Sequence, residues 1–170
     1  MKKHVLIVDD DSAVRESIRR VLNEAGYEVT TAVDGEQAAV EFVPEQIDLV
    51  LLDLNLPVRS GWDVFERLTT THPSIPIIII TGMPNQYRTA VAAGAGALME
   101  KPIEVAALLK TMDELLAESH EERLRRMCGY RQDTRFLRRP KAGLASESPL
   151  RTIRSGPPRR LPSMARWGER

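Results

Sequence analysis

A chain of 170 residues, 42% hydrophobic and 28% charged, has room for one ordinary globular domain and an appendage but not for two full-sized domains. Its formal net charge of zero conceals a division: residues 1–119 hold 10 Lys/Arg against 19 Asp/Glu, a net of −9, and residues 120–170 hold 14 against 5, a net of +9. The single cysteine, Cys128, excludes an intramolecular disulfide and fits a reducing compartment. The apolar run at 5–8 is too short, and too soon followed by aspartates, for a signal peptide. The run at 75–80 is interrupted by Pro76 and is far too short to span a bilayer, so a cytoplasmic location is expected.

Taken in chain order, the first two-thirds alternates between two hydrophobic periods. Short continuous apolar runs at 5–8, 49–52 and 77–80 read as strands buried on both faces, as in a parallel sheet covered by helices. Weaker strand signals lie at 27–32 and 97–99. Between them fall helical patterns. Val14, Ile18, Val21, Leu22 and Ala25 share one face of a helix that opens after Asp11 or Ser12 and stops at Gly26. Further helices are expected over about 35–43, ended by Pro44; 61–71, before Pro73; and 85–93, ended by Gly94. The apolar stripe Val105, Leu108, Leu109, Met112, Leu115, Leu116 marks a fifth. Five strand–helix units with short connections predict an α/β domain over residues 1–119, a five-stranded doubly wound parallel sheet flanked by five helices.

Residues 120–170 have a different texture. One short helix is expected near 119–130, where Leu124 and Met127 sit among charges. Beyond Arg131, prolines at 140, 149, 157, 158 and 162 and interspersed arginines predict a basic, largely irregular and disordered tail. That tail is too poor in apolar residues for a helix-turn-helix output domain. Its Arg pairs can hold nucleic acid or another anionic surface by counterion release, or dock on the acidic half of the chain itself.

The chemistry gathers where the strands end. In an open α/β sheet, ligands bind beyond the carboxyl ends of the strands. The first strand runs into Asp9, Asp10 and Asp11; the third ends at Asp53; the fourth at Thr81 and Gly82; the fifth leads to Lys101 and Pro102. Carboxylates converging on one sheet edge repel one another unless a cation intervenes, and hard oxygen ligands suit Mg²⁺. A carboxylate is also a nucleophile toward phosphorus, and phosphoryl transfer needs charge stabilisation and in-line positioning more than acid–base chemistry. Each residue alone has a plainer reading, an Asp after a strand being most often a helix cap. The ordered set is what points to a site.

The segments VLIVDDDSAVR (5–15), DLVLLDLNLPVRSGWDV (48–64), IPIIIITG (75–82) and AGAGALMEKPIE (93–104) resemble the receiver domains of bacterial response regulators, the CheY-like family of two-component signalling. The resemblance covers residues 3–117 and implies a flavodoxin-like sheet of strand order 2-1-3-4-5. It implies that Asp53 is the phosphoacceptor, taking its phosphoryl group from a histidine kinase or phosphotransfer protein. Asp9, Asp10, Asp53 and the backbone carbonyl of Asn55 would hold Mg²⁺, Asp9 largely through water. Lys101, before a cis peptide to Pro102, would pair with the phosphoryl group, and Thr81 would swing toward it. Such a protein would signal through protein–protein contacts with a downstream target, and a homodimer through helix 4, strand 5 and helix 5 is a further expectation.

Two positions depart from the family pattern. Leu98 stands where the family often has an aromatic that rotates with the Thr, and the stretch between Thr81 and Lys101 is about two residues shorter than is common. Two alternatives remain open: a nucleic-acid-binding regulator working through the tail, and a phosphatase passing through an aspartyl phosphate. Haloacid-dehalogenase-like phosphatases carry their nucleophile in a DxD motif after the first strand, whereas here the isolated Asp follows the third.

Overall fold

A computed structural model of the protein describes residues 2–127 and 134–137. Its elements run β1 (His4–Val8), α1 (Ser12–Glu24), β2 (Glu28–Ala32), α2 (Gly35–Glu41), β3 (Leu49–Asp53), α3 (Gly61–Thr71), β4 (Ile77–Thr81), α4 (Tyr87–Ala93), β5 (Ala97–Glu100), α5 (Val105–Leu116), α6 (His120–Met127) and β6 (Arg135–Leu137). All described strands pair in parallel in one sheet of order β2-β1-β3-β4-β5-β6.

The sheet is sandwiched as the apolar runs require. Leu6, Val8, Val50, Leu52, Ile77, Ile79 and Leu98 face one layer of helices, with Phe65 and Leu68 of α3 packed against them. Val5, Ile7, Leu49, Leu51, Ile78 and Ile80 face the other, against Leu22 of α1 and Leu108, Met112 and Leu115 of α5. Residues of alternate parity thus fill two cores, which is why β3 and β4 are buried at every position.

Helix starts are set by local chemistry. Asp11 caps α1, its Oδ1 accepting from the N–H of Ala13 at 2.8 Å and of Val14 at 3.2 Å. Asp34 caps α2 in the same way, and Ser60 with Asp63 forms a capping box at α3. α2 stops at Glu41, short of the expected residue 43: its C-cap Phe42, two residues before Pro44, is already extended (φ −77°, ψ 103°). α4 begins at Tyr87, two residues later than expected, since Pro84 and the left-handed Asn85 (φ 62°) cannot open it.

One feature corrects the expectation from sequence. The sheet has six strands in the described residues, not five. Residues 135–137, expected to be irregular, form the sixth: β6 lies beside β5 with Ala97 opposite Arg135, Leu98 opposite Phe136 and Met99 opposite Leu137. The short helix expected near 119–130 is α6. The remaining residues of the basic segment, 128–133 and 138–170, lie outside the described residues. Among those described, no helix is long and apolar enough to cross a membrane.

Candidate functional site

The carboxyl ends of β1, β3, β4 and β5 bring together Asp9, Asp10, Asp53, Thr81 and Lys101, the side chains singled out from sequence. Asp53 is the last residue of β3 and Thr81 the last of β4; Asp9 and Asp10 follow β1, and Lys101 follows β5. Asp9, Asp53 and Thr81 are buried, while Asp10 is exposed. The loop after β3 can tuck under α3 only because residue 61 is glycine. A Cβ there would run into the Asp53 carbonyl oxygen and come within 2.6 Å of the Leu54 Cα.

Lys101 is the hinge of the electrostatics. Its Nζ donates to Asp53 Oδ2 at 2.5 Å and to Asp9 Oδ2 at 2.8 Å. The second oxygen of each carboxylate is held by its own loop: Asn55 N–H donates to Asp53 Oδ1 at 3.0 Å and Asp11 N–H to Asp9 Oδ1 at 2.9 Å. Burial pushes the Asp9 carboxyl above the usual carboxylate range, against the pull of the Lys101 ammonium. Burial also works to lower the Lys101 ammonium, but its hydrogen bonds to Asp53 and Asp9 outweigh this and hold it above the ordinary lysine value. The Lys101–Pro102 peptide is cis.

Asp9, Asp10 and Asp53 each offer a carboxylate oxygen, all lying within 4.8 Å of one another. Three carboxylates against one ammonium leave a formal excess of two negative charges, and the oxygen-only donor set with an exposed side at Asp10 fits a hydrated divalent cation. Asp11, the third aspartate of the run, is committed to the α1 cap and stands outside this cluster.

Thr81 turns its Oγ1 toward its own loop, where it accepts from Met83 N–H at 3.0 Å; its backbone carbonyl accepts from Lys101 N–H at 2.9 Å. Sequence reasoning missed Arg15, whose Nη1 donates to the Asp9 carbonyl at 2.6 Å and so pins the β1–α1 loop. Its only signal was position, one turn into the helix that follows the aspartates.

A buried carboxylate beside an ammonium, an acidic cluster matched to a divalent cation and a hydroxyl one strand away are groups suited to phosphoryl-transfer chemistry. Comparisons with known proteins bear on the family of the chain. The family model for the response regulator receiver domain matches residues 5–113. The response regulator MprA of Mycolicibacterium vanbaalenii is 36% identical over 118 residues, covering 68% of this chain and 51% of its own length. The MprA of Mycobacterium bovis (strain BCG) is 35% identical over 124 residues, with 72% and 54% covered. The chain thus spans about half the length of the curated relatives it matches.

Among solved structures, a CheY-like receiver domain from Methanospirillum hungatei superposes with a TM-score of 0.66 at 31% identity, covering 72% of this chain and 98% of that one. The response regulator TrrA from Thermotoga maritima, solved in complex with Mg(2+)-BeF, superposes with a TM-score of 0.62 at 30% identity, covering 66% and 98%.

Proposed function

The chain belongs to the response regulator receiver domain family of two-component systems, and from that premise we propose that Asp53 accepts a phosphoryl group from the phosphohistidine of a histidine kinase or phosphotransfer protein. The observation that carries this reading is the pair of bonds from Lys101 Nζ to Asp53 and Asp9, with Asp10 beside them at the open side of the site. A single ammonium and a single nucleophilic carboxylate are thereby held at the same edge of the sheet.

In this mechanism an Asp53 carboxylate oxygen forms the new P–O bond as the P–N bond of the donor breaks, and the electron pair leaves with the imidazole, which is then protonated. Asn55 N–H holds the other oxygen of Asp53 and so orients the nucleophile. Lys101 is already within bonding distance of Asp53, so a small movement takes its ammonium from carboxylate to phosphoryl oxygen. Thr81 carries the one hydroxyl at the end of β4 and donates to a remaining phosphoryl oxygen while still accepting from Met83 N–H. Asp10, Asp53 and the Asn55 carbonyl would hold Mg²⁺ directly and Asp9 through water; when bound, the ion neutralises charge on the phosphoryl oxygens.

The phosphatase alternative asks for a DxD pair after the first strand. Here the second Asp of such a pair would be Asp11, whose carboxylate is taken up in capping α1, which supports the receiver reading. Signalling by contact with a downstream protein, and any nucleic-acid contact by residues 120–170, belong to the same proposal as its partners. The test is intact-mass spectrometry after incubation with acetyl phosphate and Mg²⁺. The native chain should gain one phosphoryl group and Asp53→Asn none; a group retained by Asp53→Asn would overturn the assignment.

A further inference from the structure

The edge of β5 is covered by the chain itself. β6 pairs along it over three residues, and the grip reaches both cores. Phe136 packs on the α3–α4 side, its ring stacked on Tyr87 with centroids 4.7 Å apart, while Leu137 is buried on the α5 side. Thr134 Oγ1 donates to the Ala95 carbonyl at 2.9 Å, and Arg135 binds Glu114 of α5 at 2.8 Å and Glu118, just past the end of α5, at 3.0 Å. α6 anchors the near end. Arg126, only 5% exposed, bonds to Glu118 and to the Gly94 carbonyl, and a Cβ on Gly94 would meet the Met127 Cα at 2.9 Å.

This covering element is strong at its anchor and weak at its tip. Three strand residues, one ring stack and ion pairs that are partly exposed give little local stability, the regime in which segments open without global unfolding. A continuous set of contacts joins the tip to the acidic site. Thr81 Oγ1 holds Met83 N–H, the loop 82–86 leads into α4, and Tyr87, the first residue of α4, carries the stack with Phe136. On the sheet side Thr81 is in register with Glu100 of β5. Leu98, the neighbour of Phe136 across the strands, has no ring of its own, so the aromatic contact on this face comes from β6.

We propose that α6 and β6 form a tethered cap on the α4–β5–α5 face, and that a phosphoryl group on Asp53 loosens it. This rests on the reading of Asp53 given above. Drawing Thr81 toward the phosphoryl group shifts the loop 82–86 and with it Tyr87; the stack on Phe136 is lost, and β6 leaves the β5 edge while α6 stays anchored. In the unphosphorylated chain the cap holds that edge against any partner, a second copy of the chain included.

Hydrogen–deuterium exchange by mass spectrometry on the full chain decides this. Acetyl phosphate with Mg²⁺ should raise exchange in 134–137 and 97–100 by about tenfold or more and leave 120–127 unchanged, with no effect in Asp53→Asn. Unchanged exchange on a chain shown by intact mass to carry the group would overturn release by phosphorylation. Absence of the group on the native chain would overturn it together with the Asp53 reading. The cap itself is read without phosphate: Phe136→Ala with Arg135→Glu should raise exchange in 97–100 by a similar factor. Unaltered exchange there would overturn the cap, whatever happens at Asp53.

Discussion

Lys101 keeps two buried carboxylates in the fold with one ammonium, and its loss is the most informative single change at the site. Asp9 and Asp53 are 2% and 4% exposed beneath the Lys101 ammonium, so removing the cation leaves two neighbouring, poorly solvated carboxylates without their shared partner. Lys101→Ala should cost about 3 kcal/mol of stability near neutral pH, the range for breaking a buried pair. Added Mg²⁺ should restore more stability to the variant than it adds to the native chain. Urea denaturation with and without Mg²⁺ measures both; equal Mg²⁺ increments would deny that cation and ammonium share the same carboxylates. Asp48 is a second residue with a clear sign. Burial works to raise its carboxyl, but the Lys3 ammonium and the His4 N–H outweigh this and hold it below the usual range. A depressed folded value means the stabilisation is complete above the ordinary value of 3.8 and is lost as pH falls through the lower folded one. Asp48→Asn should therefore cost about 1 kcal/mol near neutral pH and almost nothing once the native carboxyl is protonated. Denaturation midpoints across an acid pH series check this, and a cost independent of pH would contradict it.

At the scale of elements, strain sits in the loop between β3 and α3. Val58 has φ 70°, a region that β-branched residues avoid, and its side chain is 86% exposed, so it gains nothing from packing. Val58→Asn should raise stability by about 1 kcal/mol, since Asn tolerates the left-handed region. An unchanged thermal midpoint would mean that the loop relaxes around the valine. The elements also show what was legible in the sequence. β1, β3 and β4 stood out because burial on both faces demands continuous apolar runs, and α5 because its stripe is unbroken. β6 did not. Thr134, Arg135, Phe136 and Leu137 show no period, and the charge at the start of the strand is tolerated only because Glu114 of α5 and Glu118 just beyond it reach Arg135. No window of local sequence contains that compensation.

For the molecule as a whole, the opposed charges of the two sequence segments meet in the structure. Arg126 and Arg135, from the basic stretch, bind Glu118 and Glu114 of the acidic one, and Arg123 donates to the carbonyls of Leu115 and Leu116 at the end of α5. The acidic site was readable for a related reason: its residue types recur at strand ends, in an order that a parallel sheet must bring together. What sequence did not show is which groups touch. The bond between Lys101 and Asp9 spans 92 residues, and it exists because β1 and β5 end at the same edge of one sheet.

The central claim is that Asp53 is the atom-level destination of the phosphoryl group, and reductive trapping tests it most directly. After reaction with acetyl phosphate and Mg²⁺, borohydride converts an aspartyl phosphate to homoserine, and peptide mass mapping locates the change. The account predicts homoserine at position 53 alone. Homoserine at position 9 or 10, or a phosphoryl group that survives borohydride unreduced, would contradict it.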